Sequence, residues 1–161
     1  MPVTPDAIRQ LLGCRAASVA IVTARAGERV HGMTVTAFTE VSLEPPLVLV
    51  CADRTSNTHP VIEKGGVFAL NLLAGDQAAL SNRFASKKDE ERRFEGVAWE
   101  TEATGAPILP GTLGALDCRV VAAHDGGDHV IYVGRVEAIR CQPEREPLLY
   151  QRGAYGAFTR S

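Results

Sequence analysis

Two segments of this chain gather groups suited to holding a ligand. Gly32-Met33-Thr34-Val35-Thr36-Ala37-Phe38 is rich in small and hydroxylated side chains, and Asp53-Arg54-Thr55-Ser56-Asn57-Thr58-His59-Pro60 collects a cation and three hydroxyls at the start of a helix. Small side chains let a flat ligand lie against the backbone. The Arg54 guanidinium, the hydroxyls of Thr55, Ser56 and Thr58, and the amides near Asn57 suit a phosphate. Together they describe a site for a phosphorylated planar ligand. The plainer reading of the same residues is a solvated strand carrying Thr34 and Thr36, then a polar loop in which Asn57 caps a helix.

Other reactive side chains are weighed in the same way. His124 and His129 flank Asp125-Gly126-Gly127-Asp128, and two imidazoles with two carboxylates invite a zinc reading. That reading is set aside, because Asp and Gly are what a tight turn needs; no metal is expected, and His124 is expected at a surface strand position. His59, directly before Pro60, is read as structural. Asn71 interrupts the apolar run Phe68-Ala69-Leu70-Asn71-Leu72-Leu73 and must find hydrogen-bond partners there, either backbone groups or a ligand. Cys14, Cys51, Cys118 and Cys141 lack the paired spacing of zinc or redox sites and are expected to be buried, unpaired thiols.

The elements that position these residues read mainly as strands. Thr4 or Asp6 caps an opening helix that runs to about Arg15, with Ile8, Leu11 and Leu12 on one apolar face. Val19 to Ala24 and Arg29 to Thr36 form a hairpin around Ala26-Gly27-Glu28, and the unbroken apolar run Leu47 to Ala52 predicts a strand buried on both faces. A helix over Thr58 to Lys64 ends at Gly65-Gly66. A strand over Val67 to Leu73 and a helix over Asp76 to Ala85 follow. Ser86 to Pro110 is irregular, with a short strand at Val97 to Glu100. Leu113 to His124 and Val130 to Gln142 form a long hairpin across the Asp-Gly-Gly-Asp turn. Many strands, few helices and antiparallel hairpins predict a mainly β protein, a β-barrel with peripheral helices, over a doubly wound sheet. No GxGxxG turn joins a strand to a helix, which argues against a Rossmann site.

With 161 residues, 45% of them hydrophobic, and a net charge of −2, the chain is read as a single domain over residues 1–161. Its mixed, nearly balanced charge gives no footprint for nucleic acid or an anionic membrane, and Lys87 to Arg93 is read as a solvated helix face or loop. No apolar stretch approaches the roughly 20 residues of a spanning helix. The start Met1-Pro2-Val3-Thr4-Pro5-Asp6 lacks the regions of a signal peptide, so a cytoplasmic location is expected.

In this order GMTVTAF, VSLEPPLVLVCADRTSNTHP, FALNLLAGDQAALSNRFAS, GGDHVIYVGRVEAI and RGAYG resemble the flavin reductase family of the FMN-binding split-barrel fold, from about Arg15 to Tyr155. The resemblance implies an antiparallel split β-barrel and an NAD(P)H:flavin oxidoreductase. Such an enzyme passes a hydride from NADH or NADPH to FMN or FAD and supplies reduced flavin to a separate monooxygenase. Hydride transfer needs no Ser-His-Asp set or metal, since the cofactors carry the reactive atoms.

Residue by residue, the resemblance puts Met33, Thr34, Val35, Thr36 and Ala37 against the flavin ring and ribityl chain, with Phe38 behind them. Cys51, Ala52, Asp53, Arg54, Ser56, Asn57 and Thr58 are placed along the rest of the flavin. Phe84, Ala85 and Ser86 are placed at the ribityl or phosphate groups, although Phe84 also suits core packing. His129 is given an orienting role at the nicotinamide or flavin edge, and Arg152 and Tyr155 contacts to the nicotinamide nucleotide. The adenosine half of an FAD is assigned to Lys87 to Pro110. A homodimer is implied, as members of the family build the flavin site at or near a subunit interface. Three other readings stay open: an enzyme with retained FMN that acts on another small molecule, a non-catalytic flavin-binding module, and a purely structural β-barrel that binds no flavin.

Overall fold

The computed structural model describes residues 2–161. Its architecture follows from strand alternation. In β2 (Ala20–Ala26) and β3 (Arg29–Val35), which form a hairpin around Gly27 at φ 61°, alternate side chains face one apolar cluster. β4 (Phe38–Leu43) and β5 (Pro46–Asp53) form a second hairpin, β6 (Val67–Leu72) crosses back, and β7 (Gly114–Gly126) and β8 (His129–Cys141) make the long one. The seven strands are antiparallel in the order β3-β2-β6-β7-β8-β5-β4.

Val22, Met33, Val50, Phe68, Cys118 and Tyr132 share one buried cluster, with Phe38 packed against it. Every strand, including both edge strands, therefore reaches the same core. A sheet that does this is curled, and because β3 and β4 are its two ends, the barrel is split between them. The chain crosses that split in Thr36 and Ala37 alone.

The short β1 (Ala17–Ser18), β9 (Leu149–Gln151) and β10 (Ala154–Gly156) form a second, three-stranded sheet in the order β1-β9-β10. Three helices lie at the periphery: α1 (Pro5–Gly13), α2 (His59–Gly65) and α3 (Ala78–Ala85). A short 3-10 turn spans Glu90–Arg92.

Several local expectations are corrected. The strand over 47–52 is not buried on both faces: in Pro46–Asp53, Val48, Val50 and Ala52 point into the barrel, while Leu47, Leu49 and Cys51 are half-buried. Its neighbours are antiparallel, so helices do not cover the outer face as they would in a parallel sheet. Phe38–Leu43, to which the sequence reading assigns no element, is an edge strand. The opening helix is capped by Thr4, whose Oγ1 accepts from the Ala7 amide at 3.2 Å, but it ends at Gly13, and Ile8, Leu11 and Leu12 lie exposed.

Thr58, not Asn57, is the N-cap of α2, and it makes no side-chain capping bond; Ser56 Oγ, two residues earlier, accepts from the His59 amide at 3.1 Å. The expected strand at 97–100 is reduced to one bridge between Glu100 and Ile108. All four cysteines are free, but only Cys118 is buried; Cys51 is half-buried, and Cys14 and Cys141 are exposed. Burial pushes the Cys118 thiol up to about 12.

The Asn71 side chain is held by other groups of the protein, two of them backbone. Its Nδ2 donates to the Ile21 carbonyl and Thr23 Oγ1, both at 3.1 Å, and its Oδ1 accepts from the Leu109 amide at 2.9 Å. Thr23 Oγ1 also donates to the Pro107 carbonyl at 2.5 Å. This network fastens residues 107–109 to β2 and β6.

Candidate functional site

The outer face and free edge of β3 form one wall of a groove. Gly32 lets α3 approach: an added Cβ would lie 2.9 Å from the Phe84 ring. Two residues on, Thr34 Oγ1 donates to the Ser81 carbonyl of α3 at 2.6 Å. Between β3 and α3 run two adjoining depressions that share Thr34 and Ala85, of about 320 and 160 Å³.

The larger depression is lined by Thr34, Val35 and Thr36, by Ser81 and Asn82 of α3, and by Tyr155. The Tyr155 hydroxyl bonds Ser81 Oγ at 2.8 Å and Asn82 Oδ1 at 2.7 Å, which holds its ring at the groove wall. Small side chains and an edge strand with one unpaired side leave room and backbone donors for a flat, hydrogen-bonding ring.

The smaller depression is polar. It is lined by Met33, Asp53, Thr55, Ser56 and Lys87, among others. Asp53 turns back on Thr55, its Oδ1 accepting from the Thr55 amide and hydroxyl, each at 2.7 Å. Those bonds hold the Asp53 carboxyl below the usual carboxylate range. Lys87 has no ion-pair partner among the described residues and lines this depression beside Ser56. With Thr55 engaged by Asp53, the Ser56 hydroxyl and the unpaired Lys87 ammonium are the side-chain donors that fit a phosphate here.

The predicted site residues divide. Met33, Thr34, Val35, Thr36, Asp53, Thr55, Ser56, Phe84, Ala85 and Tyr155 line the groove. Phe84 is also core, fully buried and edge-on to Phe94 with ring centroids 5.1 Å apart, so both of its readings hold at once. Ala37 lies at the strand junction, its carbonyl accepting from the Cys51 amide at 3.0 Å. Ser86 caps the end of α3, next to Lys87.

Others point elsewhere. Ala52 and Thr58 are fully buried, and the Thr58 hydroxyl lies 2.7 Å from His31 Nδ1. Asn57 Nδ2 donates to Glu90 Oε2 at 3.0 Å. The Arg54 guanidinium bonds the β7–β8 turn, through Nε to the Gly127 carbonyl at 2.9 Å and to the Asp125 carboxylate. His129 pairs with Asp53 in the β5–β8 register and holds Asp128 Oδ1 at 2.7 Å, at the rim and outside the groove lining. Arg152, at φ 50°, lies over the end of α1 beside Cys14. His124 is an exposed strand residue, and His59 Nδ1 bonds the Tyr132 hydroxyl at 2.8 Å at the end of the barrel.

Lys87, Glu90 and Arg93, read as a solvated run and placed only within the stretch assigned to the adenosine half of an FAD, all line the polar depression. Their signal was a charge run, which equally describes a solvated loop. Position was informative: Lys87 is the third residue after the buried Phe84, so it leaves α3 beside that wall.

Residues 12–159 match the family described as a flavin reductase like domain. The chain belongs to the flavin reductase family. This flavin reductase is 42% identical over 153 residues to FMN reductase (NADH) SmoA of Agrobacterium fabrum, covering 94% of this chain and 85% of that one. It is 38% identical to HsaB of Rhodococcus jostii, the reductase subunit of a flavin-dependent monooxygenase, over 95% of this chain and 77% of HsaB. Its fold superposes with a TM-score of 0.90 and 32% identity on NADH:FAD oxidoreductase SgcE6 of Streptomyces globisporus, solved with NAD and FAD fragments, covering 99% and 97% of the two chains. The flavin reductase is thus an oxidoreductase of the split-barrel type, whose family uses a flavin and a nicotinamide nucleotide.

Proposed function

We propose that this flavin reductase takes its hydride from NADH, binds FMN or FAD in the groove between β3 and α3, and releases reduced flavin to a separate monooxygenase. The observation that carries the reading is the groove itself, a slot walled by small and hydroxylated side chains on a free strand edge that opens into a polar end with an unpaired lysine. NADH is favoured over NADPH because the named relatives SmoA and SgcE6 use NADH. A monooxygenase partner is favoured because HsaB is the reductase subunit of one.

When bound, the flavin supplies the ring that accepts the hydride. The residues of this chain align and hold. Backbone groups of Met33 to Ala37 would hold the ring, and donors there would stabilise negative charge on it. Ser56, Ser86 and Lys87 grip the phosphate, with Lys87 in the place first assigned to Arg54, whose guanidinium is engaged by the β7–β8 turn. Tyr155 covers one side of the groove, and His129 at the rim orients the nicotinamide nucleotide.

The same reading makes the protein a cytoplasmic homodimer, in which the exposed Val3, Ile8, Leu11 and Leu12 around α1 meet a second copy. Anaerobic oxidation of NADH, with FMN, FAD or no flavin added, tests the activity. Turnover that depends on added flavin is expected. Flavin binding without turnover would make the protein a binding module, and turnover that needs a further substrate would make it an enzyme with retained FMN.

A further inference from the structure

Arg93 is the most deeply buried cation near the groove, 5% exposed, and nothing in the hydride-transfer reading uses it. Its two terminal nitrogens reach opposite walls. NH1 donates to the Gly32 carbonyl of β3 at 2.8 Å, and NH2 donates to the Ser86 carbonyl at the end of α3 at 2.5 Å. Its carboxylate neighbour is Glu90, 3.8 Å away. The same Glu90 oxygen accepts from Asn57 Nδ2 at 3.0 Å, and Asn57 belongs to the β5–α2 loop, the third wall. Arg93 and Glu90 both line the polar depression.

We propose that Arg93, Glu90 and Asn57 form a cross-brace that ties the three walls of the polar end together and thereby sets its fit to a flavin phosphate. The proposal rests on the flavin reading above and gives these residues a positioning role. A guanidinium suits this role because its donors form a rigid planar fork, whereas a lysine ammonium is a single point on a flexible stem. Burying the charge is costly unless it is paired and hydrogen-bonded, which Glu90 and the two carbonyls accomplish. Burial lowers the Arg93 pKa while Glu90 and Glu91 oppose that shift. Arg93 Nε has no partner among the described residues, so the fork is held by its tips alone.

Two substitutions separate positioning from direct attraction. Arg93→Lys keeps the charge and loses the fork. Glu90→Gln removes a negative charge beside the phosphate site; by direct electrostatics it tightens phosphate binding, whereas loosening the brace weakens it. Flavin fluorescence titrations compare FMN with riboflavin, which has the same ring and no phosphate, and thermal melts run alongside.

The expected result is an FMN affinity about tenfold weaker in Arg93→Lys, on the scale of one charge-assisted hydrogen bond, with a smaller loss in Glu90→Gln and riboflavin affinity unchanged in both. Asn57→Ala, at an exposed position, serves if Arg93→Lys does not fold, and a selective loss for FMN is expected there too. Equal losses for FMN and riboflavin, tighter FMN binding by Glu90→Gln, or no change in FMN affinity would each overturn the brace while leaving the flavin reading intact. A wild-type protein that binds no FMN would overturn both.

Discussion

Lys87 and Arg54 are both cations near the polar end of the groove, yet the structure gives them different work. Lys87 lines the depression without an ion-pair partner among the described residues, while Arg54 fastens the β7–β8 turn to the end of β5. Lys87→Ala is expected to weaken FMN binding by roughly 1.5–3 kcal/mol, a ten- to hundredfold loss, as a charged hydrogen-bond partner is removed. Arg54→Ala is expected to lower the melting temperature with the smaller effect on FMN affinity. Titration of both variants with FMN ranks them, and the reverse order would return the phosphate to Arg54.

His31 carries a second expectation at this scale. Burial holds its imidazole below the usual histidine range, with the Arg93 charge adding to the effect. The unfolded chain therefore takes up a proton near pH 6.5 that the folded chain refuses. Stability falls as the pH drops below about 6.5 and until the folded His31 itself protonates. Thermal melts across this range are expected to show a shallower acid-side loss in His31→Gln, and an unchanged slope would contradict the assignment.

At the scale of elements, α3 and β3 make the groove, and Gly32 sets their spacing. A methyl group there would lie 2.9 Å from the Phe84 ring and 3.1 Å from the Val22 carbonyl. Gly32→Ala is expected to destabilise the fold by about 1–3 kcal/mol through overpacking and to weaken flavin binding, because α3 carries Ser81, Asn82 and Ala85 outward with it. Denaturant unfolding and a flavin titration check the two effects.

How far the elements were legible depended on the distance over which their signals act. Hairpins announced by glycine turns, such as β2–β3 and β7–β8, could be read because their partners are neighbours in sequence. The β4 strand was missed because an exposed edge lacks an apolar face. Its burial follows that description, with four of its six residues exposed and none fully buried. Asn71 was recognised as costly to bury, but its partners lie 38, 48 and 50 residues away, and nothing local could choose between them and a ligand. Lys87 and Arg93 belong to one charge run, and only the fold shows that one faces the groove while the other is buried beneath it.

At the scale of the molecule, the ordered motifs legible in the sequence pointed to the family and its split barrel. The split follows from topology: the two free edges of the sheet are consecutive strands, so the crossing at Thr36 and Ala37 stands at the mouth of the groove. The exposed apolar face of α1 sets a prediction of its own. Leu11, 72% exposed, stands with the exposed Val3, Ile8 and Leu12 around one short helix, and grouped exposed apolar side chains of this kind mark interaction surfaces. Under the proposed homodimer, the wild-type protein is expected to sediment as a dimer and Leu11→Glu as a monomer in analytical ultracentrifugation; a dimeric Leu11→Glu would move the interface away from α1, and a monomeric wild type would overturn the homodimer.

The central claim is the location of the flavin, and amide hydrogen exchange with and without FMN tests it most directly. Protection on adding FMN is expected at residues 33–37, 53–56 and 84–87, the three walls of the groove. Protection confined to other surfaces, such as the basic depression lined by Arg25, Lys64 and Arg119 at another face of the protein, would contradict the account.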